Sequence, residues 1–546
     1  MSFLFAFCAS GFCAFISYWH SDWNPIVIVG LSMIAVFAVF LLIDVFYKIT
    51  SKIKDNPNFY ISILALIFSF IATFYTYPNS QAPLSIREAL AVLSCVFLYC
   101  IFYTIISFVW SYIRAFYNNT PKKKFWVEIG VFAGYVAIIT VISLVINLHT
   151  ELFSKESWDN IFSADPSGYR GAFNPAIIAD PSFPNHLYPY LIFMPFATVA
   201  KVISYPMFFL PFSFTTAYIA VQAACLYLTV VMISSMMKLE GVFRWMFIAF
   251  FLVLAPQIVY PFIIEQFIFG AFTLVAALFL ASRQMHGDKA LAVACGMNVP
   301  SFFLAPFMSR IFYKGPKTQA ETCNKHFLAR KKNYTDFALD MLKVGLWIGF
   351  LLVLFSRQHL FLQAISYYFD PNITTHIQSF SGGTLNEKFF AFTYSVRDYF
   401  IFPHWKAHGP NGVVSAVAHS SISIIGVIIF ALTILSIIVN YKNIFAWACF
   451  VWIAVSTFLF VGMGMGVPRS EIFLYAPYFG WAYIALLFLG FYQITQWLNR
   501  RWSKANYVAY GLLGVAILVL FIYNFVNLVE IIDFGTRNYP TGGGFL

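Results

Sequence analysis

Charge is scarce in this chain: only 10% of its residues are Asp, Glu, Lys or Arg, against 61% that are hydrophobic. An ordinary soluble domain carries about 25% charged residues. At 546 residues and a mean hydropathy of +0.77, the sequence has too little polar surface to cover water-exposed globules. Disordered and collagen-like chains are excluded by the same shortage. Cysteine is sparse as well. Of Cys8, Cys13, Cys95, Cys100, Cys225, Cys295, Cys323 and Cys449, all but Cys323 fall in or beside apolar runs, and Cys323 sits in a basic loop. No extracytoplasmic disulfide framework and no metal-ligand spacing emerges. Ser2 to Trp19 lacks a basic start and a small-residue cleavage site, so it reads as a retained first helix rather than a signal peptide. No fixed-period repeat is visible either.

What remains is an all-α polytopic membrane protein. Apolar runs of about 20 residues give about 13–15 transmembrane helices, a short half-helix pair among them. Of the 33 basic residues, 22 fall in alternate loops, and the positive-inside rule makes those loops cytoplasmic. The net charge of +11 is therefore a topology signal, and nucleic acid is not an expected partner.

After the first helix, spans are expected at 25–48, 57–77, 87–113 and 125–148. A polar outer loop follows at 149–188. The run Leu187–Ser204, interrupted by Pro189 and Pro195, fits a broken helix lying in the interface. Helices at 207–237, 243–263 and 266–283 return the chain to the cytoplasmic side. The segment 288–312 carries Gly296, Asn298 and Pro300 at its centre with basic clusters on both flanks, which predicts a membrane-dipping hairpin of two half-helices. A helix at 338–356 leads to the second large outer loop, 357–412, and spans at 414–441, 443–462, 472–496 and 506–529 complete the chain. The sequence thus divides into an N-terminal transmembrane bundle at 1–118, a central module at 119–357 and a C-terminal module at 358–546. Two loops of this length are unusual without a function.

Of the 22 acidic residues, 14 lie on the outer face. A carboxylate just above the bilayer, against apolar surface, can act as a general base because low dielectric raises its pKa. Composition leaves Asp159, Asp165 and Asp180 open for that role. The second loop offers Arg397-Asp398-Tyr399-Phe400-Ile401-Phe402-Pro403-His404-Trp405-Lys406-Ala407-His408, where aromatic faces and basic groups suit sugar stacking and pyrophosphate contact. An aromatic interfacial belt is the competing reading.

The order of parts is distinctive. An acidic first loop leads into Asn185-His186-Leu187-Tyr188-Pro189-Tyr190. Ala255-Pro256-Gln257-Ile258-Val259-Tyr260-Pro261-Phe262 comes later with Glu265 at the outer edge, followed by the 288–312 pair. Pro468-Arg469-Ser470-Glu471 then precedes Tyr475-Ala476-Pro477. Over about 125–495 this order resembles the GT-C superfamily, integral-membrane glycosyltransferases that use polyprenyl-phosphate sugar donors. The family's double proline is absent after His186, and no Ser follows Tyr260.

The resemblance implies a GT-C-like fold and inverting transfer of a sugar from a polyprenyl-phosphate-linked donor to an extracytoplasmic glycan or lipid acceptor. Asp165 is then the catalytic base, with Asp159 next in line. Asp180, His186, Tyr188, Glu265 and Arg469 are substrate-binding residues, joined by Arg397, His404 and Lys406 of the second loop. Arg469 would hold the lipid-linked phosphate. Each residue also has a plainer reading: Glu265 suits a helix N-terminus, Arg469 an interface anchor and His186 an interfacial hydrogen bond. The sequence requires no cofactor, and a divalent cation is an option at the carboxylates. The expected location is a bacterial inner membrane, with membrane lipid around the chain and the site facing the cell envelope. A lipid-linked glycan transporter or flippase, or a glycan polymerase or ligase of another membrane fold, are the alternatives.

Overall fold

A computed structural model describes residues 65–66, 117, 122–153, 161–162, 190–204, 207, 213–283, 287–296, 299–308, 331–354, 382–408, 413–417, 420–467 and 472–541. Asp159, Asp165, Asp180, His186, Tyr188 and Arg469 lie outside the described residues, as do the first four expected helices except Ala65 and Leu66. The chain divides into two units, Met1–Thr73 with Ala89–Asn119, and Phe74–Glu88 with Thr120–Leu546. In the first, Ala65, Leu66 and Tyr117 are helical.

The elements of the second unit run α1 (Lys122–His149), α2 (Tyr190–Ser204), α3 (Ser213–Met236), α4 (Gly241–Leu252), α5 (Ala255–Val259), α6 (Phe267–Ser282) and α7 (Gly287–Cys295). A 3-10 segment, Val299–Met308, precedes α8 (Lys331–Leu354) and α9 (Leu385–Asp398). Strands β1 (Trp405–His408) and β2 (Val413–Ala416) lead to α10 (Ile424–Val439), α11 (Ile444–Thr457), α12 (Ala476–Asn499) and α13 (Ala505–Asn538). Among the described residues five helices are long and apolar enough to cross a membrane, or six if the bent pair Gly241–Leu252 and Ala255–Phe262 is one span. The chain is a multi-pass, predominantly helical membrane protein.

The core sits along α12. In the span Phe473–Asn499, 89% of the most apolar stretch is buried, against 17% for Ala505–Asn538 and 11% for Lys124–His149. The outermost helices thus turn Val, Leu and Ile outward, as a lipid-facing surface requires. Close packing uses small residues. A Cβ on Gly490 of α12 would overlap Ser436 of α10, and one on Gly270 of α6 would touch the Tyr478 ring.

The expected helix at 243–263 is broken. α4 and α5 meet at a 72° bend, because Pro256 lacks an N–H and is accommodated only in the first turn of a new helix. The helix expected from 414 begins at Ile424 instead. Val413–Ala416 pairs antiparallel with Trp405–His408, and Ser423 caps the helix by accepting the Gly426 N–H at 3.2 Å. The interruption expected at Pro195 is absent, since α2 runs through it from Tyr190 to Ser204. At 15 residues, about 22 Å, α2 is shorter than a spanning helix needs. Two short helical segments, α7 and Val299–Met308, occupy the region expected to hold a half-helix pair.

The two ends of this unit differ. At one end, the start of α4 meets the end of α12 and the start of α13 through Phe243, Tyr492 and Tyr510, whose rings lie 4.8–5.0 Å from Phe243. At the other, α13 is tied to the segment after α1. Thr150 bridges Pro540, and the Glu151 N–H donates to Tyr539 O at 2.9 Å. With 34 residues α13 is about 51 Å long, well beyond a ~30 Å hydrocarbon core, and its last turns support Trp405 of β1 through Phe534 at 5.8 Å.

Candidate functional site

The broken turn between α4 and α6 is where a carboxylate becomes buried. Ala255 to Phe262 is wholly buried, and Pro256 and Pro261 each open a short helical turn. Gln222 of α3 fixes this turn from the side, its amide nitrogen donating to Tyr260 O at 2.5 Å and Ile263 O at 2.9 Å. The chain then runs to Glu265, only 2% exposed. One Glu265 carboxylate oxygen accepts the Gln266 N–H at 2.8 Å. The same carboxylate lies within electrostatic reach of Tyr218 and Tyr260. Those two rings belong to aromatic pairs, Tyr218 on Phe269 at 5.4 Å and Tyr260 on Phe473 at 5.5 Å, and Phe267, two residues on, packs on Tyr475 at 5.3 Å. Buried polar atoms are left over here, since among the described residues Gln222 Oε1, Gln257 Oε1, Gln266 Oε1 and the Tyr260 hydroxyl make no hydrogen bond. Such groups are costly unless another state or a ligand uses them.

Next to this turn the long segments that follow α1 and α9 meet. Phe162 of the first donates its N–H to Val414 O of β2 at 2.7 Å, and its ring packs on Phe473 at 4.9 Å and Phe402 at 6.0 Å. Ile161 and Phe162 fall between Asp159 and Asp165 in the sequence. A continuous aromatic layer therefore runs from the first loop through Phe473 to Tyr260, one turn from Glu265.

The second loop brings its own buried carboxylate. Thr384 and Glu387 form a capping box that starts α9, with the Thr384 N–H donating to Glu387 at 2.7 Å and the Glu387 N–H to Thr384 Oγ1 at 3.3 Å. These bonds hold the exposed Glu387 carboxyl below its usual range. At the far end of α9, Arg397 and Asp398 are both buried. Arg397 Nε donates to Asp398 Oδ1 at 2.7 Å, and its guanidinium lies over the Tyr394 ring at 4.6 Å. Burial pushes Asp398 up to about 7, and Arg397 opposes that rise by charge and hydrogen bond. Tyr399 then packs against Tyr483 and Gly480 of α12.

Of the site residues expected from sequence, Glu265 and Arg397 are buried at this end of the bundle, on separate elements. Arg397 is engaged by Asp398. His404 and Lys406 are exposed on the β1 side of the hairpin. Among the described residues no group of three or more His, Cys, Asp or Glu side chains is placed to hold a metal ion.

Sequence reasoning passed over Asn524. Fully buried in α13, it donates to Val253 O and Phe400 O at 2.9 Å each and accepts the Phe402 N–H at 2.8 Å. One side chain thus joins the carbonyl freed at the α4 bend to the turn after α9. An Asn in the middle of an apolar helix was the available signal.

Comparison with protein-family models, with curated proteins and with solved structures gives no match for this chain.

Proposed function

We propose that this chain is a membrane glycosyltransferase of the GT-C type, moving a sugar from a polyprenyl-phosphate donor to a glycan or lipid acceptor at the outer face of a bacterial inner membrane. The observation that carries the reading is a buried carboxylate, Glu265, at a proline-broken helix boundary next to the meeting point of the long segments that follow α1 and α9. A lipid-borne sugar would be met at such a boundary, with its tail among the helices and its reacting carbon at the surface.

In this mechanism the acceptor hydroxyl oxygen attacks the anomeric carbon as the carbon–oxygen bond to phosphate breaks. The hydroxyl proton passes to Asp165, and polyprenyl phosphate departs with the bonding electrons toward Arg469. Attack opposite the leaving group inverts the centre. Asp159 and Asp180 flank the base in sequence, and His186, Tyr188 and Glu265 shape the cleft. The reaction balances without a cofactor, and a divalent cation would serve only to steady the phosphate. The test is turnover of labelled polyprenyl-phosphate hexoses and pentoses by purified full-length protein. Asp165→Asn is expected to abolish transfer while leaving expression and donor binding intact, and wild-type turnover by that variant sinks the mechanism.

One observation favours a second reading. A 72° helix break beside a buried carboxylate, with buried amide oxygens that lack partners among the described residues, is also what a lipid-linked glycan transporter would use. Movement of labelled lipid-linked glycan across sealed vesicles that survives Asp165→Asn and fails in Glu265→Gln would decide for transport.

A further inference from the structure

The end of the bundle opposite Glu265 gathers charge that the proposed reaction does not use. Between Glu471 and Glu530 the chain has no carboxylate at all. In the middle of that stretch the turn from α12 to α13 reads Trp497-Leu498-Asn499-Arg500-Arg501-Trp502-Ser503-Lys504. Arg500, Arg501 and Lys504 are all exposed. The Arg501 guanidinium lies over the Trp497 ring at 4.3 Å, a cation–π platform that holds the charge in place while leaving its outer edge open. Trp497 and Trp502 are each 50% exposed, as indoles at the boundary between acyl chains and headgroups are.

The neighbouring turns do not cancel this charge. Arg244 of α4 is held by Glu128 in a two-pronged ion pair. Lys238 and Glu240 of the α3–α4 turn offset one another, both exposed, and Lys442 of the α10–α11 turn adds a further cation over Tyr441 at 5.4 Å. Three cations on one short turn, with two half-exposed indoles and no acid within the turn, match one ligand chemistry: a phosphate whose attached chains lie alongside the apolar helices. We propose that the turn Trp497–Lys504 binds the headgroup of an anionic phospholipid. Free phosphate would satisfy the guanidinium but would leave the exposed halves of both indoles in water, so the occupant is the lipid.

Native mass spectrometry of the full-length protein in neutral detergent, titrated with mixed micelles of phosphatidylglycerol, reads this directly. The wild type is expected to retain the lipid saturably and to gain thermal stability in parallel. Each basic residue near an anionic surface contributes about fivefold in affinity, so R500Q/R501Q/K504Q should raise the half-saturating lipid fraction by about a hundredfold. Trp497→Phe keeps every charge but weakens the platform, and should cost about threefold. K238Q/K442Q, which removes two cations outside the turn, should cost far less than the triple variant, and neither phosphatidylcholine nor inorganic phosphate should shift the melting temperature. Retention by the triple variant equal to the wild type overturns the proposal. So does equal loss in K238Q/K442Q, or a phosphate effect matching that of the lipid. If the triple variant does not fold, Trp497→Phe and Arg501→Gln singly decide the question in the same way.

Discussion

Glu265 and Asp398 are both buried carboxylates at the same end of one helical unit, held in opposite ways. Asp398 has its counterion next door in sequence, so Arg397 and the pair travel together as part of α9. Glu265 depends on elements far from it along the chain: Gln222 holds the turn before it, and Tyr218, Phe473 and Tyr475 line its surroundings. A self-contained pair can move with its helix without being broken, whereas Glu265 is set by the packing of the whole bundle. The charge pair at the end of α9 is therefore local, whereas the α4–α6 turn is set by several elements at once.

The most severe way to break that contrast is at Gly426. The crossing of α9 on α10 is so close that a Cβ there would sit 1.7 Å from Thr393 O, which no side-chain rotation relieves. Gly426→Ala should cost above about 3 kcal/mol and release α9 while leaving the α4–α6 turn protected. Hydrogen exchange resolved by segment checks this, and equal deprotection of 254–266 would mean that the two regions are one cooperative unit. Next in size is Asn524, the side chain that joins the regions. Asn524→Leu removes three bonds and strands Val253 O, Phe400 O and Phe402 N in apolar surroundings. The expected loss is roughly 2–4 kcal/mol, with raised exchange at both 253–262 and 399–402. A change confined to one segment would show that Asn524 does not couple them.

Much of the helical framework was legible from sequence, because apolar runs and loop charge carry it. α3, α6, α11 and α12 lie close to their expected places. Where local chemistry interrupts a run, hydropathy fails. Pro256 breaks the expected helix at 243–263, and Val413–Ala416, apolar enough to extend a span, pairs as a strand with Trp405–His408. Pro195 errs the other way, lying inside a continuous α2. The site was legible only as residue types. Glu265 and Arg397 could be chosen as buried or outer charges, but Gln222 and Asn524 act through carbonyls supplied by remote segments, and no spacing in the chain announces such partners.

The smallest expected effect tests the self-contained half of the comparison. The folded chain keeps a proton on Asp398 up to about pH 7, because burial outweighs the attraction of Arg397. An unfolded Asp releases its proton near pH 4. Between those values the folded state binds more protons, so this group's contribution to stability is complete below about pH 4 and is lost as pH rises through 7. Over pH 5–8 the loss should be roughly 2–3 kcal/mol, visible as a fall in melting temperature of the full-length protein. Asp398→Asn should flatten that fall, with its main cost above about pH 7, where the wild type gives Arg397 an ionised counterion and the amide does not. A variant whose melting temperature falls with pH as steeply as the wild type would place the titrating group elsewhere. The contrast between a local charge pair on α9 and a carboxylate set by several elements would then have to be drawn without Asp398.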